Sequence, residues 1–363
     1  MFGMRRQLDT SQIIIWAIGI GLILLVFIGS FSTLSEGQYT TQQWTDFVVF
    51  GLAQGAIYAL IALGYTMVYG VLGLINFAHG EVFMSGAFSA YFLASFLDDH
   101  MLQGMRFVEA ARGDPTFLNT HPIISLLAIF TFAAFISTLI AVVLERVAYR
   151  PIRNSPRLVK LITAIGASFF LQYTFRGFFG SGVQVYPDID ILKGDIFGIR
   201  ITLVVVFVSA LVMLGLLYAF IQLTRTGRAI RAVSEDMNTA ALMGIDVDRT
   251  ISVTFAVGGF MAGIAGILYV LIYSQVNFFT GFIPGIKAFT AAVLGGIGNL
   301  PGAAVGGIFL GVFESLGPTL MLDGLGIPAA HQLKDVIAFT LLVLILIFRP
   351  TGILGERLAT KRV

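Results

Sequence analysis

A chain of 363 residues that is 57% hydrophobic and 12% charged is not a soluble domain, in which about 25% of residues carry charge. That much apolar surface needs lipid as its solvent, so the composition predicts an all-α polytopic membrane protein. A formal net charge of +2 offers no field for nucleic acid, and the absence of cysteine excludes disulfides, thiolate metal sites and cysteine nucleophiles.

Apolar runs predict ten membrane segments. They lie near Ile13–Phe31, Phe47–Leu72, Gly80–Leu97, Ile123–Leu144, Leu161–Phe179, Ile201–Ile221, Ile251–Ile272, Ile283–Ile297, Ala303–Leu316 and Val336–Phe348. The first follows Arg5 and Arg6 but is longer than the apolar core of a secretory signal. Gly29-Ser30-Phe31 is also a poor cleavage site, so the run is read as a retained span. The second is long and contains Gly64 and Gly70, which predicts a break or a strong tilt. The eighth and ninth are short and separated only by Asn299-Leu300-Pro301-Gly302, which predicts half-helices that enter the membrane and return.

Basic residues set the orientation. Arg5 and Arg6 precede the first segment, while Arg146, Arg150, Arg153, Arg157 and Lys160 follow the fourth. Arg225, Arg228, Arg231 and Arg249 lie between the sixth and seventh, and Arg349, Arg357, Lys361 and Arg362 follow the last. The positive-inside rule makes all of these regions, and both termini, cytoplasmic. Ser32–Asp46, with Glu36 and Asp46 but no basic residue, and the Asp98–Pro122 loop are then external.

Two glycine-rich turns look like distant copies of one device: Leu72-Gly73-Leu74-Ile75-Asn76-Phe77-Ala78-His79-Gly80-Glu81 and Leu294-Gly295-Gly296-Ile297-Gly298-Asn299-Leu300-Pro301-Gly302. Glycine permits the reversal, and Asn76 or Asn299 can hydrogen-bond the backbone freed there. Such breaks line a cavity or a protein interior, which makes Asn76, His79, Gly80, Glu81 and Asn299 candidates for a pathway or a gate. Glu81 has two readings, a solute- or proton-handling carboxylate and a charge capping the third segment. Glu314 also has two, a pathway-lining intramembrane carboxylate and a hydrated group near Gly317-Pro318. Arg176 and Lys287 read as snorkelling interfacial residues.

Thr224–Val247 is a charged interruption between apolar segments. Thr226 or Ser234 can cap a helical start there, Arg228, Arg231 and Glu235 share a face, and Gly244 makes a stop. Glu235 and Asp236 beside the arginines argue against a polybasic lipid anchor and for docking into a protein groove.

The chain resembles the membrane permease subunit of bacterial branched-chain amino acid ABC importers, the LivH type. The resemblance rests on GLAQGAIYALIALGYTMVYGVLGLINFAHGEVFMSGAF (Gly51–Phe88), VLERVAYRPIR (Val143–Arg153), TRTGRAIRAVSEDMNTAALMGIDVDR (Thr224–Arg249) and AFTAAVLGGIGNLPGAAVGGIFLG (Ala288–Gly311). It implies one transmembrane permease domain over 1–363 with the ABC importer permease fold, in the bacterial inner membrane. It also implies a second related permease subunit, two cytoplasmic ATPase subunits that hold ATP and Mg, and a periplasmic substrate-binding protein. The substrates it implies are leucine, isoleucine and valine. The ATPase-contacting segment falls on Gly227–Gly244, within a coupling region over 224–249 that includes Arg228, Arg231, Glu235, Asp236 and Gly244. One departure is visible, because the 98–122 loop looks longer than family members carry.

No cofactor is expected in this chain, since nothing matches the phosphate-binding GxxxxGK[ST] pattern. Related permeases carry urea, short amides or other amino acids. A lower-ranked alternative is an ion-coupled secondary transporter using His79, Glu81 or Glu314. A membrane enzyme has little to work with, given four histidines and neither HExxH nor GxSxG. An aliphatic amino acid would need an apolar lining plus polar groups for its zwitterionic end, which broken-helix dipoles can supply.

Overall fold

The computed structural model describes residues 10–98, 116–349 and 351–355. Arg5, Arg6, Arg357, Lys361, Arg362 and most of the 98–122 insertion (residues 99–115) lie outside the described residues.

The protein is an all-α polytopic membrane protein. Its elements are α1 (Thr10–Glu36), α2 (Thr41–Leu72), α3 (His79–Asp98), a single turn α4 (Phe117–Thr120), α5 (Pro122–Leu144), α6 (Arg157–Phe179) and α7 (Ile201–Leu223). They continue with α8 (Arg225–Glu235), α9 (Met237–Leu242), α10 (Val247–Tyr273), α11 (Phe282–Gly295), α12 (Leu300–Gly317) and α13 (Lys334–Phe348). Among the described residues, nine helical runs are long and apolar enough to cross a membrane, and α11 is a shorter apolar helix. Two short antiparallel ribbons, Gln184–Val185 with Gln275–Val276 and Asp195–Ile196 with Ile199–Arg200, tie the loops at one end of the bundle.

Two expectations about breaks are corrected. The second segment is one unbroken helix, α2, whose 32 residues span about 48 Å at about 1.5 Å each. That exceeds the roughly 30 Å hydrocarbon core, so α2 tilts or protrudes. Its start is fixed by a capping box between Thr40 and Gln43. The ninth segment is not a half-helix either, because α12 continues through a π-helical turn, Pro318–Leu322, and makes a 26-residue run from Leu300 to Leu325. Gly317-Pro318 reads as a stop in water, but in lipid the backbone must keep its hydrogen bonds internal, so the helix bulges and goes on. The eighth segment does stay short, as the 14 residues of α11.

The helices sort by burial. In α2 and α10, 72% and 67% of the apolar window is buried inside the chain, against 17% in α1 and 22% in both α6 and α7. α2, α3, α10, α11 and α12 therefore form the core, and the others present apolar faces such as Phe135, Phe170 and Val212 outward. Glycine decides how close the core helices come. Gly311 faces the backbone of Gly55 with no room for a Cβ on either helix, so α2 and α12 cross backbone to backbone.

Candidate functional site

One candidate surface lies at the basic end of the bundle. α7 ends at Leu223, and Thr224 caps α8, its hydroxyl accepting from Gly227 N at 2.9 Å. The expected single helix capped by Thr226 or Ser234 is corrected, because Asp236 closes α8 and starts α9. Its carboxylate accepts from Asn238 N at 2.8 Å and Thr239 N at 3.0 Å. A carboxylate oxygen in that position competes with continued helix and wins. These bonds, those to Thr239 first, hold the Asp236 carboxyl below its ordinary range. Gly244 ends the unit with φ 84°, a conformation that L side chains avoid.

Ile230, Val233 and Ala240 bury one face of this unit. α8 lies against α2, α7 and α10 at the same basic end of the bundle. The opposite face is exposed at Arg228, Glu235, Asp236 and Gly244. Leu242 and Met243 stand out beside them, 88% and 78% exposed. The expected Arg228–Arg231–Glu235 face is only partly kept, because Arg231 folds back and its guanidinium donates to Gln222 of α7. Nearby on the surface, Arg150 and Arg153 both grip Asp248 at the start of α10. Glu145, fully buried, accepts from Ser252 at 2.8 Å. These contacts join the segment after α5 to the start of α10, which α8 also touches, so force applied at α8 reaches a core helix.

The second candidate is a buried polar centre. Glu314 on α12 is 2% exposed, and its Oε1 accepts from Lys287 Nζ of α11 at 2.7 Å and from Gln54 Nε2 of α2 at 3.0 Å. Its Oε2 accepts from the Tyr58 hydroxyl at 3.0 Å. Lys287 also pairs with Asp335 of α13 at 2.6 Å. Two earlier readings fall here. Lys287 is not a snorkelling residue, and Glu314 is not a freely hydrated group near a helix end, because side chains from four helices converge on both and leave them 3% and 2% exposed. The centre borders a cavity of about 560 Å³ whose rim carries Asp46, Arg200, His331 and Lys334. Arg176 keeps its cation exposed, near the rings of Tyr173 and Phe278.

The two glycine-rich turns differ in what their asparagines do. Asn299 caps α12, accepting from Gly302 N at 2.9 Å, and its amide donates to Leu354 O at 2.9 Å. Asn76 accepts instead from the Tyr149 hydroxyl at 2.5 Å, which ties the turn to α5 rather than to its own backbone. His79 is buried against Gly64, its ring edge-on to Tyr65 with centroids 5.0 Å apart. Gly80 packs on Gly281, bringing α3 against α11. Glu81 does not cap α3, because its Oε1 accepts from Gln172 Nε2 of α6 at 2.6 Å and from Ser168 at 3.3 Å. Sequence reasoning singled out Glu81 and Glu314 but missed Lys287, Asp335, Gln54, Ser168 and Gln172, which come from other helices far along the chain.

Comparisons with known proteins bear on the whole bundle. The family described as branched-chain amino acid transport system / permease component matches residues 47–346. The high-affinity branched-chain amino acid transport system permease protein LivH of Escherichia coli (strain K12) is 42% identical over 314 residues, 84% of this chain and 94% of that one. The corresponding protein BraD of Pseudomonas aeruginosa is 43% identical over 319 residues, 85% and 95% of the two chains. A probable permease named LivM from Methanocaldococcus jannaschii is 25% identical over 322 residues, 83% and 91% of the two. No solved structure is significantly similar to the chain. With the family matched across the core helices and the Arg225–Leu242 surface alike, this chain belongs to the branched-chain amino acid transport system permease family.

Proposed function

We propose that the protein is the transmembrane permease subunit of an ATP-driven importer for leucine, isoleucine and valine in a bacterial inner membrane. The observation that carries the reading is identity of 42–43% over more than four fifths of the chain to permeases named for branched-chain amino acids. The exposed α8–α9 surface supports it, since a membrane protein that displays Arg228, Glu235, Leu242 and Met243 together offers a soluble partner both charge and apolar contact. Two ATPase subunits, which hold ATP and Mg, dock there. The positive-inside rule places that end, and both termini, in the cytoplasm. A second, related permease subunit completes the pore, and a periplasmic binding protein delivers substrate at the opposite end. Closure of the ATPase subunits presses α8, and the contacts to α2, α7 and α10 tilt the core between outward and inward access.

The test is uptake by the assembled complex in liposomes, with labelled leucine competed by isoleucine, valine, other neutral amino acids and urea. The three branched-chain amino acids are expected to compete best. Preference for urea overturns the substrate class, and ion-driven uptake by this chain alone overturns the ATP-driven mechanism. Arg228→Glu is expected to lower ATP-driven uptake by about tenfold or more while the chain still inserts, because the reversed charge faces the partner. Unchanged uptake would remove the coupling role from this surface.

A further inference from the structure

A second cavity, of about 260 Å³, lies among α3, α6 and α11, apart from the Glu314 centre. It is smaller than the roughly 300–1,000 Å³ of sites for drug-sized ligands, a size suited to one small solute. Its walls are apolar, with Ile165 and Phe169 from α6, Phe282 and Ile286 from α11, and Tyr65 from α2. Glu81 is the one acidic or basic residue in the lining.

Glu81 is 1% exposed and only half satisfied. Oε1 takes both hydrogen bonds, from Gln172 and Ser168, whereas Oε2 has no hydrogen-bond partner and lies against Gly281, itself part of the cavity wall. Among the described residues no Lys or Arg forms an ion pair with it, in contrast to Glu314. A carboxylate left with a vacant oxygen in apolar surroundings is costly unless a cationic donor completes it or it takes up a proton. A hard metal ion would ask for about six oxygen ligands, which these walls lack. An ammonium needs fewer acceptors. The first turn of α11 borders the same cavity through Gly281, Phe282 and Gly285, and a helix N-terminus attracts a carboxylate.

We propose that this cavity is a transit site for the free aliphatic amino acid. Glu81 Oε2 accepts from the α-ammonium, the α-carboxylate faces the start of α11, and the side chain lies against Ile165, Phe169 and Ile286. The inference rests on the importer reading above and names where, within this subunit, the zwitterion is held. α6 is the cavity wall least tied to the rest of the chain, and its lining residues Ile165 and Phe169 are 41% and 47% exposed, so it is the wall best placed to move when solute enters or leaves.

The experiment uses the complete complex with its binding protein in liposomes, fed a leucine analogue that carries a diazirine in its side chain. After illumination, adducts are mapped by peptide mass spectrometry. Adducts are expected on α6 and α11 peptides carrying Phe169 and Phe282. Glu81→Gln keeps the shape and the Gln172 contact but removes the charge. It is expected to abolish those adducts and lower leucine uptake by about tenfold or more, with intact complex still recovered. Should Glu81→Gln fail to assemble, Ile165→Trp, which fills the cavity from its exposed edge, is expected to give the same two losses. Wild-type adducts confined to other segments, or either assembled variant labelling and transporting as wild type, overturns the site while leaving the importer reading intact. Absence of leucine uptake by the wild-type complex overturns the importer reading, and this site with it.

Discussion

Lys287 shows how a residue's meaning changes with its neighbours. On the sequence it is a lone cation at the edge of a short apolar run, and a long basic side chain in that place ordinarily snorkels. In the folded chain it bridges Glu314 and Asp335 and is 3% exposed. Removing one partner of such a pair strands the other charge in a dry interior, which costs about 3–5 kcal/mol. Lys287→Met is therefore expected to lower the thermal stability of the purified protein by about that amount. Adding Glu314→Met to it should recover much of the loss, because two apolar side chains of similar volume replace the buried pair, and the Asp335 carboxylate that remains is 42% exposed and keeps water. A double variant less stable than Lys287→Met alone would show that Gln54 and Tyr58 depend on the carboxylate more than Lys287 does.

At the scale of elements, Asp236 decides the shape of the exposed unit. A continuous helix over Thr224–Val247 would present one charged stripe, whereas the cap splits it and turns α9 so that Leu242 and Met243 stand out. The folded carboxyl titrates below its unfolded value, so its contribution is complete above the ordinary carboxylate range and is lost as pH falls through the depressed folded value. Hydrogen-exchange protection of the Asn238 and Thr239 amides is expected to fall on acidification through that lower range in the wild type. In Asp236→Asn, which caps without titrating, protection should persist. Asp236→Ala should lose it at every pH. Protection in the alanine variant equal to wild type would mean that burial of Ala240, not the cap, holds α9.

At the scale of the whole molecule, the arrangement depends on how near the core helices approach. Gly311 on α12 and Gly55 on α2 leave no space between backbones, so a side chain at either must push two core helices apart. Gly311→Leu is expected to cost at least the roughly 1–3 kcal/mol of ordinary overpacking and to lower the amount of folded protein in the membrane. Gly166→Leu is the matched control, because nothing in the chain lies within 4 Å of a Cβ there. Equal recovery of the two variants would show that α2 and α12 can part without loss of the fold.

The sequence by itself determined the lipid-soluble class, the approximate place of the spans, the exposed charged interruption and the two acidic candidates Glu81 and Glu314. Each of these depends on local composition, because about twenty apolar residues in a row leave the backbone few options in lipid. Tertiary structure alone decided the rest. α2 runs unbroken through Gly64 and Gly70, and α12 continues past Pro318, because neighbouring helices and the lack of water favour internal hydrogen bonds over local breaking propensity. Lys287 and Glu314 meet, and Gln172 reaches Glu81, across 27 and 91 positions of chain. No periodicity encodes such pairings. They follow from which helix faces glycine lets come together, a property of the packed bundle and not of any one segment.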